Sequence, residues 1–435
     1  MLSLALLTAS ALCSTASAKS WGPQIGVYWP SYSAASDPVN TLDFTKLTHA
    51  DWFVAVPQRH SYDLSFPAPA NPSTMKTMTT NAKKQKASVS LTIGGWTGSQ
   101  YFSSLVSNST GRAAFSKSIY KTIKKYKLNG IEIDWEYPNG AGIGCNVVSA
   151  KDTQNFILFV KQLRKTVGPS YRLSAAVNLF GLYDTDGTTY TKDLSVLAAN
   201  LDFISLMNYD VYGPWTATSG PNGPLASTCA TDEGAGASAI DGVARWVSYG
   251  FKKSQIVLGA PAYGYVYATA KGGLVSTRTV SGSSSKLYQK VIAAAPQGSA
   301  SDDKPGKDIC GNQQGYGAVW NYDALITTGK LSKDGTTGLG DYERYWDSCS
   351  STPFLYNTKT GYLYTYDDAQ SIKIKAAWAK KQGLAGMIFF DASGDYKSQL
   401  VNAARAGFLG SSASQAKSRK LRAQAHKKAS KKLSI

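Results

Sequence analysis

A (β/α)8 barrel with a small α+β insertion between its seventh and eighth strands is the fold class this sequence predicts, on three observations. Short, nearly continuous apolar runs occur eight times, each followed by a stretch that can be helical, and such alternation marks a parallel sheet covered by helices. The chain has 435 residues, more than one ordinary core but within the range of barrels that carry insertions. No GxGxxG follows the first run, QIGVYWPSYS, which sets aside the open doubly wound sheet.

The eight runs, read as strands, are Gln24 to Trp29, Leu47 to Pro57, Ala87 to Trp96, Gly130 to Tyr137, Arg172 to Phe180, Leu201 to Tyr209, Gln255 to Tyr263 and Leu384 to Phe390. Between the last two lie about 120 residues, far more than a strand–helix connection needs. An insertion at about 265–365, rich in Tyr, Gly and Trp and made partly of strands, accounts for them. The segment before the eighth run, ending AQSIKIKAAWAKKQG, reads as a helix.

The two ends differ from the body of the chain. Residues 1–18, MLSLALLTASALCSTASA, are uncharged and close on Ala-Ser-Ala, the small-x-small pattern of a cleaved secretory leader, and the run is too short and too broken by Ser and Thr to span a membrane. Secretion, to the medium or the cell wall, is the expectation. Removing the leader takes Cys13 and leaves Cys145, Cys229, Cys310 and Cys349, an even number that fits two disulfides in any of three pairings. With no CxxC pair and three His, no metal or other cofactor is expected. The net charge of +18 suggests nucleic acid until it is mapped: residues 411–435 hold eight Lys or Arg and no acid. That composition is a disordered basic tail outside the folded domain 19–410, either a solvated solubility tail or one that adheres to an anionic wall or membrane face, with wall retention at low salt after its deletion as the check. No nucleic-acid motif accompanies it, and nothing in the sequence calls for more than a monomer.

The chemistry concentrates in the fourth run, Asn129-Gly130-Ile131-Glu132-Ile133-Asp134-Trp135-Glu136-Tyr137-Pro138. Alternate residues of a strand share a face, so Glu132, Asp134 and Glu136 form a column of carboxyls while Ile131, Ile133 and Trp135 face the other way. Burying three carboxyls together costs several kcal/mol unless some are protonated or paired, so a purely structural strand has little reason to carry them. In a barrel the column points inward and Glu136 comes last, at the end where barrel active sites sit. Mutual repulsion is expected to raise the proton affinity of Glu136 and make it a general acid.

The string NGIEIDWEYP resembles the DGxDxDxE signature of family 18 glycoside hydrolases in spacing, in its Gly and in the Trp-Glu-Tyr-Pro that closes it. Four further segments resemble family landmarks in the same order: SLTIGGW at 90–96, MNYD at 207–210, LGAPAYG at 258–264 and GMIFFDASGD at 386–395. The likeness extends over residues 24–408. It implies a TIM barrel and a chitinase that cleaves β-1,4-linked N-acetylglucosamine in chitin or chitooligosaccharides, retaining configuration with help from the substrate. It further implies that Glu136 is the proton donor and later the base, that Asp134 holds the acetamido N–H, and that Tyr209 with Asp210 fixes the acetamido carbonyl, with Glu132 beneath them. Tyr28, Tyr137, Met207, Tyr263 and Phe390 are the implied sugar contacts within the barrel.

Three positions depart from the family pattern: Asn129 and Glu132 stand where it has acids of the Asp type, and Phe390 where it has Trp. Parity turns Asn129 away from the column. Glu132 keeps the charge and adds one methylene, and Phe390 keeps an apolar face for a sugar ring. Trp29, Trp96, Trp135 and Trp215 fall near strand ends, and Trp96 and Trp215 are the better candidates for stacking on sugars. Asn108-Ser109-Thr110 is a glycosylation sequon. Two other readings share the barrel: a chitin-binding lectin without turnover, and an endo-β-N-acetylglucosaminidase acting on N-glycans.

Overall fold

The computed structural model describes residues 21–280 and 283–410; the leader at 1–18 and the basic tail at 411–435 lie outside the described residues. All eight strands form: β1 (Gln24–Pro30), β2 (His49–Gln58), β3 (Ser88–Gly94), β4 (Gly130–Asp134), β5 (Arg172–Val177), β6 (Phe203–Leu206), β7 (Ile256–Pro261) and β8 (Gly386–Phe390). Each pairs in parallel with the next, and β8 pairs with β1 to close a TIM barrel. Helices Thr74–Lys84, Ser109–Tyr126, Asp152–Val167, Ser195–Asn200, Ala239–Ser248, Ala369–Gln382 and Gln399–Leu409 follow β2 to β8 in turn. After β1 the described chain makes two short 3-10 turns instead, Ser31–Ser33 and Val39–Thr41.

Several strands are shorter than their apolar runs. β4 ends at Asp134 rather than Tyr137, and β6 covers Phe203–Leu206 rather than Leu201 to Tyr209. Past those points, at the mouth of the barrel, strand pairing ends and Glu136, Met207 and Tyr209 line a cavity. The outward face of β4 behaves as its pattern requires: Ile131, Ile133 and Trp135 are buried, and Trp135 stacks on Phe102 at 5.2 Å and meets Phe156 edge-on at 5.8 Å. Trp29 is likewise core, packed against Trp52 at 6.4 Å. Burying such a face stabilises on the order of 2 kcal/mol per large side chain, which fixes the inward direction of the carboxyl column. One glycine secures the neighbouring register. Gly94 has φ +116, and a Cβ there would lie 2.0 Å from the Asp134 carbonyl, so only glycine lets β3 turn while the Gly95 N–H reaches that carbonyl at 2.8 Å.

Between β7 and β8 the chain builds a five-stranded antiparallel sheet. Tyr263–Ala268 runs on almost directly from β7 and is flanked by Val319–Asn321 and Tyr362–Thr365, with Thr352–Asn357 and Tyr342–Asp347 beyond. The helix Tyr322–Thr327 completes the α+β character of this region. The helix Ala369–Gln382 that leads to β8 starts on a capping box, with Asp368 accepting from the N–H groups of Gln370 and Ser371. Of the three possible cysteine pairings the structure has Cys145–Cys310 and Cys229–Cys349. The first joins the loop after β4 to the insertion. The second joins the loop after β6 to it. Among the described residues no helix is long and apolar enough to cross a membrane.

Candidate active site

Three levels of acidic residues rise through the barrel. At the lowest, Asp51 of β2 meets His49 Nε2 at 2.9 Å and Arg172 of β5 at 3.5 Å, all three buried. Burial alone would raise Asp51, but His49 and Arg172 together hold it below the ordinary carboxylate range. Burial and the Arg172 charge push His49 downward, toward the neutral imidazole.

Glu132 forms the next level. Its two carboxyl oxygens accept hydrogen bonds from Tyr28 Oη of β1 at 2.5 Å and Ser205 Oγ of β6 at 2.6 Å. Burial, then the Asp51 charge, raises Glu132 to about 7, against the opposing pull of Arg172 and the two hydroxyls. The added methylene of this Glu is thus accommodated, with both oxygens partnered across the lumen.

Asp134 and Glu136 form the top level. Asp134 is buried and its Oδ1 has no hydrogen-bond partner among the described residues. Burial, followed by the charges of Glu136 and Glu132, lifts it well above the ordinary value. Glu136 is raised to about 7 by burial and by the nearby Asp210 carboxyl, while a Tyr137 hydrogen bond opposes. Repulsion between Asp134 and Glu136 acts on both, as the column predicts, and at Glu136 a carboxyl from a different strand end, Asp210, adds to it.

Asp210 comes from the turn after β6, where it adopts a left-handed φ of +58. Its N–H donates to Asn222 Oδ1 at 2.7 Å, and its Oδ1 accepts from Tyr263 Oη at 2.5 Å and Tyr265 Oη at 2.6 Å. Tyr209, one residue earlier, leans over Phe390 with ring centroids 6.0 Å apart. Phe390 also contacts Tyr28 at 5.6 Å and Phe53 at 5.2 Å. The result is an aromatic floor beneath the acids.

These groups converge on one cavity of about 350 Å³ at the C-terminal mouth of the barrel. Tyr28, Asp134, Glu136, Tyr137, Met207, Tyr209, Asp210, Tyr263 and Phe390 all line it, while Glu132 lies below. Trp96 and Trp215 do not line it; they are 49% and 60% exposed on the surrounding surface. Sequence reading missed Phe53, Asn178, Glu233 and a wall after β5 in which Tyr190 stacks between Tyr183 at 5.2 Å and Phe180 at 6.2 Å. Phe180 closed a predicted strand and could have been found there; Tyr183 and Tyr190 sit in a loop without periodic pattern. A larger cavity, about 770 Å³, opens at the opposite end beside Trp21, Lys252 and Phe408. Its one acid, Asp202, is engaged by Arg164 at 2.7 Å and by the Leu173 N–H, so the acid chemistry belongs to the mouth.

Comparison with known proteins agrees with this arrangement. The sequence profile described as "Glycosyl hydrolases family 18" matches residues 24–395. A "chitinase-like effector" of Moniliophthora roreri is 36% identical over 87% of this chain and 91% of its own. Chitinase A1 of Niallia circulans is 28% identical over 73% of this chain, which spans 42% of that protein. Among solved structures, a chitinase from Rhizomucor miehei superposes with a TM-score of 0.78 at 29% identity, covering 88% of this chain and 99% of the other. The chain therefore belongs to glycosyl hydrolases family 18, on a closed barrel of the chitinase type.

Proposed function

We propose that this protein is a chitinase that hydrolyses β-1,4 N-acetylglucosamine linkages with Glu136 as general acid and base. The observation that carries the reading is Glu136 itself, raised to about 7 at the edge of a 350 Å³ aromatic-floored cavity that it shares with Asp134, Tyr209 and Asp210. A carboxyl with that proton affinity is half protonated near neutral pH, the condition for giving a proton to a leaving glycosidic oxygen. As that C–O bond breaks, the carbonyl oxygen of the substrate's own 2-acetamido group attacks C1 and forms an oxazolinium ion. Asp134 has one buried oxygen without a partner, suited to accept the acetamido N–H and offset the developing positive charge. Tyr209 and Asp210 orient the acetamido group. Glu136, now a carboxylate, takes a proton from water as it opens the ring at C1, which returns the acid form. Phe390 supplies the apolar face beneath the sugar.

A binding protein without turnover is the second reading, and its support is that relatives from Moniliophthora roreri and Moniliophthora perniciosa, 36% and 34% identical, carry the name "chitinase-like effector". Hydrolysis of a chromogenic chitooligosaccharide by wild type and by Glu136→Gln separates the two. The expected result is a loss of about 10²–10⁴-fold in kcat for the variant with ligand binding retained. Binding with equal, zero rates in both proteins gives the lectin.

A further inference from the structure

We infer that Ser99 and Asn146 are positioning residues for Glu136, holding its backbone N–H and carbonyl where the sheet no longer does; the inference rests on the proton-donor reading above. Asp134 is the last residue of β4 with a strand partner. Glu136, two residues further, has no ladder to receive its N–H or bind its carbonyl, yet buried backbone polar groups require partners. Two side chains from loops supply them. The Glu136 N–H donates to Ser99 Oγ at 2.9 Å, and Ser99 in turn donates to the Gly95 carbonyl at 2.8 Å, with the Asp134 carbonyl 3.1 Å away. Asn146 Nδ2 donates to the Glu136 carbonyl at 2.7 Å. Neither residue lines the cavity, so both act through the backbone of Glu136.

The Asn146 contact has the marks of a built device. Asn146 Oδ1 is buried without a partner among the described residues, so the bond to Glu136 is what its side chain is placed to make. Gly142, at φ +52, lies so close that a Cβ would stand 2.1 Å from the Glu136 carbonyl oxygen. The loop is tied down beside Asn146: Cys145 is bonded to Cys310 of the insertion, Gln100 Nε2 donates to Cys145 Sγ at 2.9 Å, and the Val147 N–H donates to the Gln100 carbonyl at 2.9 Å. A mechanical chain therefore runs from the insertion through a disulfide to the carbonyl of the proton donor. Displacing a reacting group by about 1 Å costs about 10²-fold in rate, so a partial loosening is expected to cost less.

The test uses the full chain and two readouts. Asn146→Ala and Asn146→Asp, which both remove the donor, are expected to lower kcat about tenfold at unchanged KM, and Asn146→Gln, which keeps an amide, to recover part of it. Removing Cys145 and Cys310 together is expected to give a smaller loss of the same kind. In parallel, the Glu136 carboxyl is titrated by 13C NMR, its signal assigned by its absence in Glu136→Gln; the midpoint is expected to move in Asn146→Ala. Wild-type kcat and an unmoved midpoint in Asn146→Ala, with or without a lower melting temperature, overturn the inference. A wild type that turns over no chitooligosaccharide sinks the proton-donor reading instead, and the titration then decides the positioning role alone.

Discussion

The floor and the mouth of the barrel hold the same kind of side chain under opposite terms. On the floor, Asp51 and Glu132 are buried against protein partners: His49 and Arg172 engage Asp51 through Oδ2, and Tyr28 and Ser205 take both oxygens of Glu132, the four coming from four strands. At the mouth, Asp134 keeps an unpartnered oxygen and Glu136 faces a cavity. Depth alone does not separate the two groups, because burial is the first cause of the raised proton affinity in Glu132, Asp134 and Glu136 alike. What separates them is access: Asp134 and Glu136 line the cavity, whereas Asp51 and Glu132 do not and face cationic or hydroxyl side chains of the barrel. Carboxyls paired across the lumen hold strands together, and those that open on the cavity are left for a ligand.

That contrast can be broken first at Arg172. Arg172→Met strips the guanidinium from buried Asp51 and is expected to cost about 3–5 kcal/mol of stability, read as a lower urea midpoint at unchanged slope. A loss under about 1 kcal/mol would mean the floor does not depend on the pair. The mouth is probed by pH. Glu136 must be protonated to act, so kcat/KM is expected to fall about tenfold per unit as pH rises beyond about 7. Asp210→Asn removes the neighbouring charge that raises Glu136 and should shift that limb to lower pH; a wild-type limb near 4.5 would contradict the assignment. The smallest effect is expected at Tyr28→Phe, about 1 kcal/mol, from one lost bond to Glu132. Here the sign is informative. Glu132 is raised from 4.5 to about 7 on folding, so its contribution to stability is complete below 4.5 and is lost as pH rises through about 7. Because the Tyr28 bond lowers Glu132, its removal should move that window upward, as seen in melting temperatures between pH 5 and 8.

The eight strands were legible because a parallel barrel buries both faces and writes itself as continuous apolar runs. The alternation of Glu132, Asp134 and Glu136 with Ile131, Ile133 and Trp135 likewise placed the acids on one side. Strand ends were overrun where apolar character continues past the last ladder bond, as at Trp135 and Tyr137. The floor was only half legible: Arg172 and Ser174 share parity on β5, with Ser174 opposite Glu132 in register, but a single Arg at a strand start carries no pattern that names Asp51 as its partner. Cysteine pairing, the Tyr183 and Tyr190 wall and the Asn222 contact to Asp210 depend on how loops return over the mouth. Such long-range meetings have no period to read.

The inserted sheet bears on how this barrel could be re-engineered. Its first strand contributes Tyr263 and Tyr265, the two hydroxyls that grip Asp210, and it continues almost without a break from β7. Excising residues 263–365 to make a minimal scaffold would leave that carboxyl without either grip. A graft exchanging this region between homologues must carry the two tyrosines across the splice, so the lobe that looks most like an accessory is the one least free to be traded.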